Sequence, residues 1–171
     1  MKLPTIGFVG MSHLGLNYAV ATASKKFKVI CYDENISKIN LLKNKISPIF
    51  EKDLERKIKL NFSNLNFTNN ISDLINCDNV YISKDVSTKV SGESDLTATK
   101  ELIEKTIKHL NKKSNLIILC QVPPGFCRSI NWNKNQLFYQ VETLIFGKAF
   151  ERALYPERLI IGTESKKKKS K

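Results

Sequence analysis

Long apolar runs are missing from these 171 residues. No 18 hydrophobic positions follow one another, so no membrane-spanning helix is expected. The N-terminus passes straight into a strand-like stretch, so a signal peptide is not expected either. Cysteine is sparse: Cys31, Cys77, Cys120 and Cys127 are scattered and lack the paired spacing of a metal site. Three of them sit in or beside apolar runs, where a thiol behaves as a small hydrophobe. No metal is expected, and a reducing cytoplasm is the simplest compartment. Internal repeats and domain-splitting linkers are also absent. The expectation is one domain over residues 1–162 with a lysine-rich flexible tail over 163–171, large enough for a core without staples.

Acidic residues are outnumbered by basic ones, 16 to 28, for a net charge of +12. The distribution of that charge decides its meaning. The last eight residues hold five lysines against one glutamate, a net +4, which leaves +8 for the rest. Most of that remainder is single lysines on polar helix faces. Aromatic residues do not interleave with them as a base-stacking surface requires, so solvated faces are expected rather than nucleic-acid binding. A basic rim still favours an anionic nucleotide ligand.

The informative stretch runs from Thr5 to Asp33. Thr5 to Val9 is an apolar run of strand length. It breaks into Gly10-Met11-Ser12-His13-Leu14-Gly15, followed by a helix-compatible segment from Leu16 to Ser24. A second apolar run, Phe27 to Tyr32, stops at Asp33, 18 positions after Gly15. Strand, glycine-bearing turn, helix, strand and acid form the dinucleotide-binding order. Gly10 permits the tight turn and Gly15 the close packing of helix on sheet. The N–H groups and positive dipole end of the helix then face a pyrophosphate, which makes Gly10, Met11, Ser12, His13, Leu14 and Gly15 the candidate cradle. For His13 the backbone N–H counts for more than the ring. Asp33 at the end of the second strand accepts from both ribose hydroxyls and repels a 2′-phosphate, so NAD is the expected cofactor rather than NADP. Ser12 stands where the middle glycine belongs. Its hydroxyl either donates to a phosphate oxygen or pushes the cofactor outward.

Strands and helices alternate along the remainder. Helices are expected over Glu34 to Lys43, with Asn35 as cap, over Glu51 to Leu60, and over Thr97 to Leu110. His109 near the end of the last suits a helix C-terminus. Strands are expected at Leu65 to Phe67, Asn79 to Ser83, Asn115 to Cys120 and Leu137 to Val141. One helical turn falls at Ile71 to Asn76, and Lys84 to Ser94 is expected as a loop. Trp132 and the phenylalanines are expected in the core. This alternation indicates an α/β fold, a doubly wound and mostly parallel Rossmann-type sheet with helices on both faces.

Five segments together resemble one family. They are Ile6 to Gly10 with Gly15-Leu16; Tyr32-Asp33 with Lys38-Ile39; Asp85-Val86-Ser87-Thr88 with Gly92 and Asp95-Leu96; Gln121 to Gly125; and Glu142 through Tyr155 to Gly162. Over about residues 5 to 162 the chain resembles the N-terminal domain of the UDP-glucose/GDP-mannose dehydrogenases, which oxidise a nucleotide-sugar alcohol to an acid with two NAD. The resemblance implies that Asp33 holds the adenosine ribose with Lys38 beside it, and that Thr88 lines the cofactor. It places Gln121 near the nicotinamide and the reacting carbon. Glu142 falls close to the sugar, in proton handling or water positioning. Arg158 is open between pairing with a carboxylate and touching substrate phosphate. Ser12, Ser87, Gln121 and Phe146 depart from the family's glycine, proline, threonine and second glutamate. These departures leave open a divergent branch or a non-catalytic binding module that has lost the cofactor chemistry. The family's nucleophilic cysteine and sugar-binding half lie on later segments, and none of the four cysteines here matches that context. The resemblance thus implies a domain incomplete for the full reaction, and a homodimer for the full-length form.

Overall fold

The computed structural model describes residues 3–88 and 91–164. The lysine run from Lys166 onward, expected as a flexible tail, lies outside the described residues, as do Lys89 and Val90 of the expected loop. The chain begins with β1 (Thr5–Val9), α1 (His13–Ser24), β2 (Lys28–Tyr32), α2 (Ile36–Lys43), α3 (Leu54–Asn61) and β3 (Leu65–Thr68). It continues through β4 (Asn79–Ile82), a small hairpin of β5 (Ser87–Thr88) and β6 (Ser94–Asp95), α4 (Thr97–Ile107) and β7 (Asn115–Ile118). It closes with β8 (Leu137–Gln140), α5 (Ala149–Leu154) and β9 (Ile161–Thr163).

Seven strands form one sheet in the order β3-β2-β1-β4-β7-β8-β9. All neighbours are parallel except β8 and β9, which are antiparallel. The chain winds outward from β1 to β3, then returns to the other side of β1 at β4. Strand order reverses there, and a crevice opens at the carboxyl ends of β1 and β4.

The central strands are buried because their residues are apolar at nearly every position, as parallel strands covered on both faces require. Phe8 and Tyr81, register partners on β1 and β4, stack with ring centroids 4.9 Å apart. Nine of the twelve α1 residues are buried, the pattern of a helix enclosed on most sides. It packs against the sheet, α3 and α5. Its small residues, Gly15, Ala19, Ala21 and Ala23, allow that close approach.

Several sequence expectations are corrected. Helix α1 starts at His13, three residues before the expected Leu16, because the chain leaves the turn already helical. Helix α3 starts at Leu54 rather than Glu51. Asp53 takes a left-handed φ of 59°, and Glu51 turns inward instead of opening the helix. The expected loop after β4 contains the β5–β6 hairpin. The short α5 and β9 were not anticipated: six residues show too little periodicity, and all three β9 residues are exposed. Trp132 packs against the core as expected, but Phe50 and Phe146 are 99% and 80% exposed.

Gly15 gives this packing a direct test. A Cβ there would lie 1.9 Å from the Gly10 carbonyl oxygen, whereas one at Gly162 would meet nothing nearer than 3.6 Å. Gly15→Ala is therefore expected to lower stability by about 3 kcal/mol or more in urea denaturation. Gly162→Ala should stay within about 0.5 kcal/mol of the parent. Equal, small effects would show that helix and turn are not in close contact.

Candidate functional site

The turn between β1 and α1 is held by its two glycines. Gly10 has φ +96°, and a Cβ on it would fall 2.7 Å from Lys84 Cβ and 2.8 Å from Lys84 Cα. Its N–H donates to Tyr32 O at 2.8 Å, which pins the turn to the end of β2. The first N–H groups of a helix have no carbonyl within the helix to receive them. Here Ser12 is the N-cap but makes no capping bond, and the N–H groups of His13 and Leu14 find no protein acceptor among the described residues. Both expected roles of the Ser12 hydroxyl gave it a place against phosphate. In this structure it donates to Ser83 O at 3.0 Å and accepts from the Asp85 N–H at 3.1 Å, turned toward the end of β4.

Asp33 sits just past β2. Its Oδ2 accepts from the Met11 N–H at 2.7 Å and pairs with Lys38 Nζ at 2.8 Å. Oδ1 accepts from the Asn35 N–H at 2.9 Å. A carboxylate offers about four acceptor positions, so these three bonds leave roughly one for a ligand hydroxyl. The second hydroxyl bond expected from the sequence requires Lys38 to yield. Asn35 caps α2 as expected, its side chain accepting from the Lys38 N–H.

Two cavities flank the open end of α1. One, of about 360 Å³, is lined by Gly10, Ser12, Asp33, Lys38, Lys84 and Leu102 among others. The second, of about 290 Å³, is lined by His13, Leu14, Val86, Gln121, Glu142 and Phe146 among others. Asp85 lines both. The structure thus brings together Gly10, Ser12, Asp33 and Lys38 in one lobe, and His13, Leu14, Gln121 and Glu142 in the other. Met11 contributes only its backbone, because its side chain is wholly buried. Gly15 lies beneath the turn. Thr88 is exposed in β5 opposite Ser94 and lines neither lobe; Asp85 and Val86 take the wall. A larger groove of about 560 Å³ lies between the Val122–Gly125 segment and β8–β9, with a mainly apolar lining.

In the second lobe Gln121 Nε2 donates to Glu142 Oε2 at 3.1 Å, and the Leu144 N–H donates to Oε1. The residues after β7 and β8 are thereby tied across the sheet end. Arg158 is exposed and pairs with no carboxylate among the described residues; Arg152 pairs with Glu157 instead.

Glu51 is the residue the sequence reading missed. Its carboxylate side chain is 1% exposed and lies 2.8 Å from His13 Nε2. The Gly147 and Ala149 N–H groups also donate to it, at 3.1 and 3.3 Å. Removing a carboxylate from water costs several kcal/mol, which three charge-assisted hydrogen bonds of about 1.5–3 kcal/mol each can offset. Burial pushes the Glu51 carboxyl up, but the His13 ring and the two N–H groups outweigh it and hold it below its ordinary value. His13 also rests against the Phe146 ring, 4.4 Å between centroids. The sequence set Glu51 apart only by its place directly after Ile49 and Phe50.

All four cysteines are free. Burial pushes the Cys77 and Cys120 thiols up to about 12, and raises Cys31 and Cys127 as well. No group of three metal-type ligands occurs among the described residues, and no helix there is long and apolar enough to cross a membrane.

Sheet order, glycine turn, bare helix end and acid after β2 define a dinucleotide-binding domain of the Rossmann type. Residues 4–171 match the model of the UDP-glucose/GDP-mannose dehydrogenase family, NAD binding domain, and the chain belongs to that family. It is 35% identical over 169 residues to a UDP-glucose 6-dehydrogenase of Rickettsia typhi, covering 94% of this chain and 39% of that protein. The fold matches a UDP-glucose dehydrogenase of Pyrobaculum islandicum with TM-score 0.86 at 20% identity, over 96% of this chain and 41% of the other. A GDP-mannose dehydrogenase of Pseudomonas aeruginosa gives TM-score 0.85 at 19% identity, over 92% and 40%. The chain therefore spans about two fifths of these proteins' length.

The Glu51 network predicts an acid-sensitive stability. A carboxyl lowered by folding stabilises fully above its ordinary value, about 4.3, and that contribution fades as pH falls toward the lowered value. Glu51→Gln should cost about 1–3 kcal/mol at pH 7 and flatten the loss of stability between about pH 5 and pH 3. Denaturation midpoints across that range check this; an unchanged pH slope would exclude the network as its source.

Proposed function

We propose that this chain holds NAD for a nucleotide-sugar dehydrogenase of the UDP-glucose 6-dehydrogenase type. The observation that supports it is the meeting of two lobes at the bare end of α1, with Asp33 at one extreme and Glu142 at the other. The residues fit the cofactor: Gly10 holds the tight turn where any Cβ would strike Lys84, and the helix end it leads into offers N–H donors to a diphosphate. Asp33 would take an adenosine ribose hydroxyl, with Lys38 and Gly10 beside it, and His13 and Leu14 would donate to the diphosphate. Bound there, NAD supplies a hydride acceptor for oxidation of a sugar CH–OH.

Gln121 and the Leu144 N–H orient the Glu142 carboxylate in the second lobe, where it would hold a proton or a water against the sugar. Thr88 would reach the cofactor only if the β5–β6 hairpin moves toward the crevice. Continuing from aldehyde to carboxylate needs a thiolate beside the nicotinamide, and no cysteine among the described residues lines either lobe. The nucleotide sugar and that thiol chemistry would then reside in the larger share of the relatives' length that this chain does not span. A second reading, a binding module without cofactor chemistry, is favoured by the exposed Phe146 ring where the resemblance expects a glutamate.

Calorimetric titration with NAD and NADP distinguishes them. Asp33→Ala should weaken NAD by roughly tenfold to a hundredfold and narrow the preference over NADP. A folded parent chain that binds no NAD at millimolar concentration would favour the binding-module reading. Binding that is indifferent to Asp33→Ala would remove the acid from the ribose.

A further inference from the structure

We propose that Ser12 is a positioning residue: its hydroxyl holds the loop after β4, and with it Asp85, as the wall common to both lobes. The inference deepens the NAD-holding role proposed above and rests on it for its consequence, though not for its geometry.

A chain of hydrogen bonds carries it. Ser83 is fully buried, and its N–H donates to Val9 O at 2.9 Å. Its hydroxyl lies 3.1 Å from Val9 O and 3.2 Å from Gly10 O, so the end of β4 is fastened to the end of β1. The Ser83 carbonyl accepts from Ser12 Oγ, and Ser12 Oγ accepts from the Asp85 N–H. A hydroxyl both donates and accepts, so this one atom connects two backbone groups that glycine at position 12 would leave to water. No other acceptor for the Asp85 N–H occurs among the described residues.

Position matters as much as bonding. Ser12 immediately precedes the buried helix α1, which is fixed on the sheet, α3 and α5, while Asp85 is exposed on a segment outside the sheet. The bond therefore transfers the order of the helix to the loop. Lys84 backs the Gly10 turn on one side of Asp85, and Val86 lines the second lobe on the other. A shift of this loop moves both walls at once. It also carries the Asp85 carboxylate toward or away from the helix end, where a second negative charge opposes a diphosphate.

The test compares the parent chain with Ser12→Ala and Ser12→Thr, reading amide hydrogen exchange by NMR and NAD affinity by calorimetry. In Ser12→Ala the Asp85 amide should exchange roughly threefold to tenfold faster, the scale of one lost hydrogen bond, while the Ser83 amide keeps its protection. NAD should weaken over a similar range, and Ser12→Thr, which keeps the hydroxyl, should restore both. Unchanged Asp85 exchange in Ser12→Ala overturns the proposal. Faster exchange with unaltered NAD affinity overturns the positioning role. A parent chain that binds no NAD defeats the function proposed above, and the exchange comparison still decides whether Ser12 holds the loop.

Discussion

One close crossing governs this molecule: the backbone of α1 at Gly15 rests against the Gly10 carbonyl, with no room for a methyl group between them. That contact brings the start of the helix down onto the ends of β1 and β4, where the strand order reverses. The bare N–H groups of His13 and Leu14 then face the crevice rather than solvent at large. The arrangement of Ser83 and Ser12 follows from the same approach, since Ser83 Oγ reaches Gly10 O only because the turn is this tight.

Two carboxylates around α1, Asp33 and Glu51, are each held by local pairing. Asp33 is held by two N–H groups and the Lys38 ammonium before any ligand arrives. Such a carboxylate is well oriented but has little acceptor capacity left, which makes Lys38 part of any ribose recognition. Glu51 shows the complementary case. Its buried charge ties the start of α1, through His13, to the segment that opens α5, through Gly147 and Ala149. The two lobes are thus built on elements far apart in sequence but braced against one helix.

The central layers were legible in the residues. Strand β1 has the expected bounds, Gly10 takes the positive φ of the expected turn, and Asp33 follows the end of β2. That pattern is local: a turn and an acid 18 residues on can be read without knowing what packs against them. Glu51 was not legible because its meaning depends on His13, 38 positions away. The partners of the Ser12 hydroxyl were not legible for the same reason, since they lie 71 and 73 positions on. Three-residue β9 and six-residue α5 carry too little pattern to stand out. Phe146 looked like core material, yet most of its ring faces solvent beside His13.

A dinucleotide is expected to rest over the open end of α1. Amide chemical shifts recorded while NAD is added to the chain address that most directly. The largest changes are expected at His13, Leu14, Asn35 and Asp85, around the open end of α1. Changes concentrated instead along the apolar groove between Val122–Gly125 and β9, or none at millimolar NAD, would contradict it.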